Sequence, residues 1–157
     1  MSEPLLEIRH LKKYYPIKSG FWHRTVGHVK AVDDFSLTLR PGETFGLVGE
    51  SGSGKSTVGR AAIRLTDKTD GEVRFRGIDL YGISAEELRR LRPKMQLIFQ
   101  DPYSSLNPRV RIGDAIGEAL LEHGLAAKAE IRDRVTAVLE ACGLAAWHYD
   151  RFPHEFS

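Results

Sequence analysis

The chain has 157 residues, 41% hydrophobic and 28% charged, with a formal net charge of +2. That is the composition of one soluble globular domain long enough to bury a core, and it excludes a disordered or low-complexity segment. The 23 basic residues are balanced by 21 acidic ones, which gives no case for nucleic acid on charge alone. No apolar run approaches the roughly 20 residues of a membrane-spanning helix.

Glu3, Pro4 and Glu7 fall where a secretory leader needs an apolar core, so a cytosolic chain is expected. Leu5 to Leu11 reads as a strand, and Phe35-Ser36-Leu37-Thr38-Leu39 as a second with strict apolar alternation. Between them Ser19 to Gly27 is bounded by glycines and reads as a long hairpin loop, with Phe21 and Trp22 folded back on the sheet or docking a partner. Pro41-Gly42 then turns the chain into Thr44-Phe45-Gly46-Leu47-Val48, an apolar run of the kind buried on both faces in a parallel sheet.

The next nine residues, Gly49-Glu50-Ser51-Gly52-Ser53-Gly54-Lys55-Ser56-Thr57, match G-x-x-x-x-G-K-[ST], the phosphate-cradling loop of P-loop nucleotidases. An accidental match in a chain of this length is expected roughly one time in a hundred or less. Glycines permit positive φ and bring successive N–H groups close to an anion, and a helix N-terminus adds partial positive charge. Val58, Ala61, Ala62 and Leu65 recur at helical spacing directly afterwards, giving strand, glycine loop and helix in order. Lys55 then stands in the first helical turn, where a cation is disfavoured by roughly 0.3 to 1 kcal/mol unless an anion is bound there. A flexible Gly/Ser linker would explain neither that lysine nor the apolar strand.

Asp70-Gly71 opens a further alternating strand over Glu72-Val73-Arg74-Phe75-Arg76, closed by Gly77. Ser84-Ala85-Glu86-Glu87 has capping-box form and starts a short helix that Pro93 stops. Met95-Gln96-Leu97-Ile98-Phe99 reads as a second buried strand ending at Gln100-Asp101-Pro102. Beyond Arg109 the pattern is helical, with one stripe at Ile112, Ile116, Ala119 and Leu120 ended by Gly124. A second stripe at Ile131, Val135, Val138, Leu139 and Cys142 is ended by Gly143. Cys142, the single cysteine, is expected to be a buried inert thiol, and His148 and His154 to be surface or helix-end histidines.

With these residues in place, the sequence resembles the ATP-binding subunits of ABC transporters, specifically those of bacterial oligopeptide, dipeptide and nickel importers. The likeness runs from about Leu5 to Ser157 and rests on three segments. These are G-E-S-G-S-G-K-S-T at 49 to 57, I-F-Q-D-P-Y-S-S-L-N-P-R at 98 to 109, and Y-D-R-F-P-H-E-F-S at 149 to 157. The first is common to such ATPases; the other two point to the peptide-importer branch.

The resemblance implies an α/β P-loop NTPase fold of ABC ATPase type, with an antiparallel β subdomain, an incomplete RecA-like core and a helical subdomain. Residues 1–101 would form the antiparallel β and P-loop core and 102–157 the helical subdomain, which in the family receives a short helix of the membrane subunit. ATP and Mg²⁺ are the implied cofactors. Residues 49–57 would wrap the phosphates, with Lys55 on the β- and γ-phosphates and Ser56 on Mg²⁺. Gln100 would contact Mg²⁺ or the attacking water. Tyr15 would stack on adenine, with Tyr14 as the alternative. Transmembrane permease subunits and a second ATP-binding subunit are the implied partners, at the cytoplasmic face of the membrane, with no nucleic acid.

The family pattern breaks at Ser157, where the signature S-G-G-Q would begin. The Mg²⁺-associated aspartate, the catalytic glutamate and the switch histidine that follow in the family have no replacement here: Asp33-Asp34 precedes a strand, and Glu50 lies inside the phosphate loop. The 157 residues are therefore expected to be part of a longer subunit, to bind MgATP weakly, to hydrolyse it negligibly and to fold poorly alone. Two other readings stay open: a soluble ABC-type ATPase acting on nucleic acid or ribosomes, and an inactive module that docks on membrane subunits.

Overall fold

The computed structural model describes residues 3–20, 24–101 and 105–156, and the chain divides into two compact units, Met1–Leu97 and Ile98–Ser157. The first unit is built on β1 (Leu6–Ser19) and β2 (Arg24–Leu39). β3 (Asp70–Phe75) pairs with the other side of β1, and β4 (Ile78–Asp79) with β3, giving an antiparallel sheet in the order β2-β1-β3-β4. Alternation turns Ile8, Leu11, Val32, Val73 and Phe75 into the core, with Leu6 set between Leu39 and Phe75 in register.

The hairpin departs from expectation. Its loop is far shorter than residues 19–27, because Lys18 already pairs with Thr25 and Ser19 with Arg24. Thr25, Val26 and Val29 are β-branched residues that favour a strand, and Gly27 is accommodated opposite Ile17, whose Cδ1 lies 3.7 Å from where a Cβ would stand. Phe21 and Trp22 lie outside the described residues.

Midway along this pair the register breaks, between Ile8 and Leu11 and again between Leu11 and Lys13. His10 (φ +50°) and Asp34 (φ +62°) take left-handed backbone there, and His10 Nδ1 lies 2.6 Å from the Asp34 carboxylate. The bulge at His10 pushes its carbonyl towards β3. A Cβ on Gly71 (φ +91°) would come within 2.4 Å of that oxygen, so both the backbone angle and the close approach require glycine.

α1 (Lys55–Ala62) lays Val58, Ala61 and Ala62 into the core. Leu65, expected on the same stripe, is exposed and lies past the helix end. The reason is the stop: the Arg64 N–H donates to the Ala61 carbonyl and the Leu65 N–H to the Arg60 carbonyl, a Schellman motif with Arg64 in left-handed backbone at φ +54°. The Tyr81 hydroxyl lies 2.9 Å from the Ala61 carbonyl oxygen and 2.8 Å from that of Thr66. Arg92 donates to the carbonyls of Ile63 and Arg64, and Arg64 to those of Leu80 and Ile83. One guanidinium, that of Arg92, and the Tyr81 phenol thus meet carbonyls at and just past the C-terminal end of α1, while Arg64 ties that end to Leu80 and Ile83. Burial pushes the Tyr81 phenol up to about 12, so it stays protonated throughout the physiological range. α2 (Ala85–Leu91) starts at the expected capping box, in which the Ser84 hydroxyl accepts from the Glu87 N–H and the Glu87 carboxylate accepts from the Ser84 N–H.

The two apolar runs expected as buried parallel strands, 44–48 and 95–99, join no strand pairing among the described residues. Met95 packs into the first core, whereas Val48 is 90% exposed and Ile98 96% exposed. Runs of this kind are buried only when neighbouring strands and covering helices enclose both faces. None of the described strands lies beside them.

The second unit is helical. α3 (Ile112–Glu122) and α4 (Ile131–Ala141) enclose a small core of Ile112, Ile131, Val135, Leu139 and Tyr149. The contact face of α3 differs from the expected stripe: Ala119 is exposed and Gly113 and Gly117 are buried. A Cβ at Gly113 would sit 2.4 Å from the Tyr149 ring, and one at Gly117 2.6 Å from Ile131 Cγ2. Both helices end on the predicted glycines, Gly124 and Gly143, each in left-handed backbone. Cys142 follows the last turn of α4 and is exposed, contrary to the expected burial, because the core-facing positions are taken by Ile131, Val135 and Leu139. His148 sits at a turn end, where its Nδ1 lies 2.9 Å from the Ala145 N–H.

Two glycine substitutions separate these effects. Gly71→Ala should lower stability by roughly 1 to 3 kcal/mol through strain and contact with His10. Gly59→Ala, on α1 with open space around its missing Cβ, should raise it by about 0.5 to 1 kcal/mol. Urea unfolding midpoints of the two variants should therefore move in opposite directions.

Candidate functional site

The glycine loop reaches α1 through a close backbone crossing. Gly54 caps the helix with φ +91°, and its carbonyl accepts the first helical hydrogen bond, from Val58 at 2.9 Å. A Cβ on Gly54 would lie only 2.0 Å from the Ala31 carbonyl oxygen of β2, so the loop can pass the strand at this level only as glycine. Gly52 also takes positive φ, at +82°, and a Cβ on Gly49 would meet Ser53 Oγ at 2.8 Å. Ser53 closes the turn by donating its N–H to the Glu50 carbonyl at 3.3 Å.

Lys55 is the first residue of α1, and no acidic side chain accompanies it in that turn. Its ammonium folds over the loop and donates to the carbonyls of Gly49 at 2.7 Å and Glu50 at 2.5 Å, and to Ser53 Oγ at 3.2 Å. The structure thus brings Gly49, Glu50, Ser53, Gly54 and Lys55 into one ring of contacts, with Ser51 and Gly52 at its exposed rim. Ser56 follows with an exposed side chain on the helix's first turn, and Thr57 stands half-buried beside it. A positive point charge with a run of backbone at a helix N-terminus is a site for an anion with several oxygens. The Ser56 hydroxyl is a hard oxygen donor of the kind Mg²⁺ prefers, so the residues fit a metal–phosphate group. Among the described residues no cluster of three or more His, Cys, Asp or Glu side chains forms a separate metal site.

A cleft of about 290 Å³ opens beside the loop, lined by residues 31–35 of β2, by Leu47, Val48 and Gly49, and by Ser53, Lys55 and Val58. Two carboxylates face it, and each has a partner. Asp33 accepts from the Tyr14 hydroxyl and from Lys30 at 3.1 Å, which hold its carboxyl below the usual range, and Asp34 pairs with His10. Of these pairings, the one with Lys30 sets a positive charge against the negative charge that faces the cleft. They were invisible in the sequence, since residues 14, 30 and 33 meet only through strand pairing.

The remaining expected site residues lie elsewhere. Tyr15 is on β1 opposite Val29, exposed, with Lys13 Nζ 4.8 Å from its ring centre, and it does not line the cleft. Tyr14 is anchored through its hydroxyl to Asp33. Gln100 is exposed and belongs to the second unit.

A glycine loop opening a helix on this lysine, set against an antiparallel sheet and followed in the chain by a helical unit, defines a P-loop nucleotide-binding cassette. The ABC transporter family model matches residues 32–157, and the chain belongs to that family. It is 52% identical over its whole length to the oligopeptide transport ATP-binding protein OppF of Bacillus subtilis (strain 168), covering 50% of that protein. It is 47% identical to AppF of the same organism, an oligopeptide transport ATP-binding protein, over 99% of this chain and 48% of the relative. The glutathione import ATP-binding protein GsiA of Escherichia coli (strain K12) is 48% identical over 99% of this chain and 25% of its own length. The chain thus spans about half the length of the two Bacillus relatives. Its fold is that of the ATP-binding cassette MJ0796, solved as a dimer in a post-hydrolysis state with ADP and Pi, with a TM-score of 0.78. That likeness covers 97% of this chain and 63% of the other, at 24% identity.

Gly54→Ala tests the crossing. The substitution should abolish binding of a fluorescent nucleotide analogue, while Gly52→Ala, which meets no atom within 4 Å, should weaken it less. Equal binding by both variants in a direct titration would contradict the steric account.

Proposed function

We propose that this chain is the nucleotide-gripping part of an ATP-binding subunit that energises import of peptides, or of nickel, across the bacterial inner membrane. The observation that carries the proposal is Lys55 at the N-terminus of α1, folded over a glycine loop that only glycine can thread past β2. The names of OppF, AppF and GsiA, which refer to oligopeptide transport and glutathione import, support import over a role on nucleic acid or ribosomes.

In this reading residues 49–57 hold the ATP phosphates: the ammonium of Lys55 exchanges its loop carbonyls for the β- and γ-phosphate oxygens, and backbone N–H groups of the loop complete the cradle. Ser56 contributes its hydroxyl to Mg²⁺, which when bound neutralises phosphate charge. Tyr15 offers its exposed ring to adenine, and Gln100 orients the metal or the attacking water. Hydrolysis itself belongs to the intact subunit working at the cytoplasmic face of the membrane, with a second ATP-binding subunit and transmembrane permease subunits. Among the described residues, the two carboxylates that face the cleft, Asp33 and Asp34, are engaged with Tyr14, Lys30 and His10.

Lys55→Ala should weaken ATP-analogue binding at least tenfold, measured by fluorescence titration with Mg²⁺. Ser56→Ala should lose the Mg²⁺-dependent part of the affinity and keep the part measured in EDTA. Unchanged affinity in Lys55→Ala would refute phosphate binding at this loop. The parent chain should bind without measurable turnover in a phosphate-release assay.

A further inference from the structure

Beyond the bulges at His10 and Asp34, the β1–β2 pair continues as a two-stranded arm, because β3 stops pairing with β1 at Lys12. Nothing in the remaining sheet covers either side of it. Direct pairing puts Tyr15 with Val29 and Ile17 with Gly27 on one face, and Tyr14 with Lys30 and Pro16 with His28 on the other. The first face is apolar and open: Tyr15 is 41% exposed, Ile17 45% and Val29 54%; Val26, 65% exposed, stands unpaired in the register at the shift near Lys18. Isolated exposed apolar residues are ordinary, but four on one short ribbon are not.

Charge supplies the second observation. From residue 13 to residue 32 the sequence contains Lys13, Lys18, Arg24 and Lys30 and no Asp or Glu, in a chain whose overall charge is only +2. Lys18, Arg24 and Lys30 are exposed, and Lys13 is partly buried. Aliphatic side chains interleaved with cations suit an interface that is at once greasy and negatively charged. Single-stranded nucleic acid would call for a row of stacking rings, and among the described apolar residues of the open face Tyr15 alone carries one, beside the aliphatic Ile17 and Val29.

We propose that the β1–β2 arm docks on an anionic phospholipid surface, with Ile17, Val26 and Val29 entering the headgroup region and Lys18 and Arg24 pairing with lipid phosphates. The binding is interfacial: apolar burial and charge attraction add, and neither suffices alone. Ile17, Lys18, Arg24, Val26 and Val29 lie outside the P-loop cleft and are not among the nucleotide contacts proposed above.

Co-sedimentation of the chain with phosphatidylcholine vesicles, with and without 30% phosphatidylglycerol, tests this, with nucleotide-analogue binding measured on the same samples. Binding is expected only to the anionic vesicles and should fall as salt rises from 50 to 500 mM. Lys18→Gln with Arg24→Gln should weaken it by roughly tenfold or more, given the contribution expected of each cation at such a surface. Val26→Ser with Val29→Ser should weaken it at constant salt dependence. Both variants should keep the parent's circular dichroism and nucleotide affinity, which separates failure of this proposal from failure of the phosphate site. Equal binding to neutral vesicles, no binding at 50 mM salt, or variants that bind like the parent would each overturn it. So would tighter binding to single-stranded DNA or RNA than to the anionic vesicles.

Discussion

One backbone contact sets the geometry of the phosphate loop: the passage of Gly54 against the Ala31 carbonyl of β2. It ties the loop to the antiparallel sheet at a spacing no side chain can enter. The helix axis, the direction of Lys55 and the floor of the cleft are all fixed relative to the strand by that crossing. Val32 and Val58, neighbours of the two contacting residues, are both buried in the same core, so apolar packing holds the backbones together where hydrogen bonding does not. The loop is pinned from its two ends: by Gly54 on the strand side, and by Ser53 and the carbonyls of Gly49 and Glu50 gathered under the lysine.

The far end of α1 solves a different problem. An eight-residue helix has almost as many unsatisfied carbonyls as satisfied ones, and its dipole must be met at the C-terminus if the N-terminus is to present a clean positive end. Tyr81 and Arg92 do this from two separate stretches of chain, and Arg64 at the helix end donates in turn to the carbonyls of Leu80 and Ile83. They also join α1 to the segment that leads into α2, so the phosphate loop is braced at both ends of its helix by elements distant in sequence.

Local rules read much of this from the sequence. The glycine loop, the capping box at Ser84, the alternating strands around Ile8, Leu37 and Val73, and the helix stops at Gly124 and Gly143 all depend on a few adjacent residues with a strong backbone preference. What escaped had its cause at long range. The stop at Arg64 uses a residue with no turn signature, held by carbonyls from elsewhere. Tyr14 and Asp33 meet only through pairing. The stripe of α3 holds at Ile112, Ile116 and Leu120 and fails at Ala119; Gly113 and Gly117 carry no apolar signal, yet they are where Tyr149 and Ile131 need room. The runs at 44–48 and 95–99 were read as strands because their composition asks for burial on both faces, and a strand exists only if another lies alongside.

The paired bulges at His10 and Asp34 bear on how such a sheet can vary between related proteins. Register below them is locked by three strands and a shared core; above them it is set only by the hairpin's own pairs. Each bulge absorbs an odd residue, so a two-residue insertion or deletion in the arm leaves the alternation beneath it intact. The arm is in that sense a detachable module, free to change length while Ala31 keeps its appointment with Gly54.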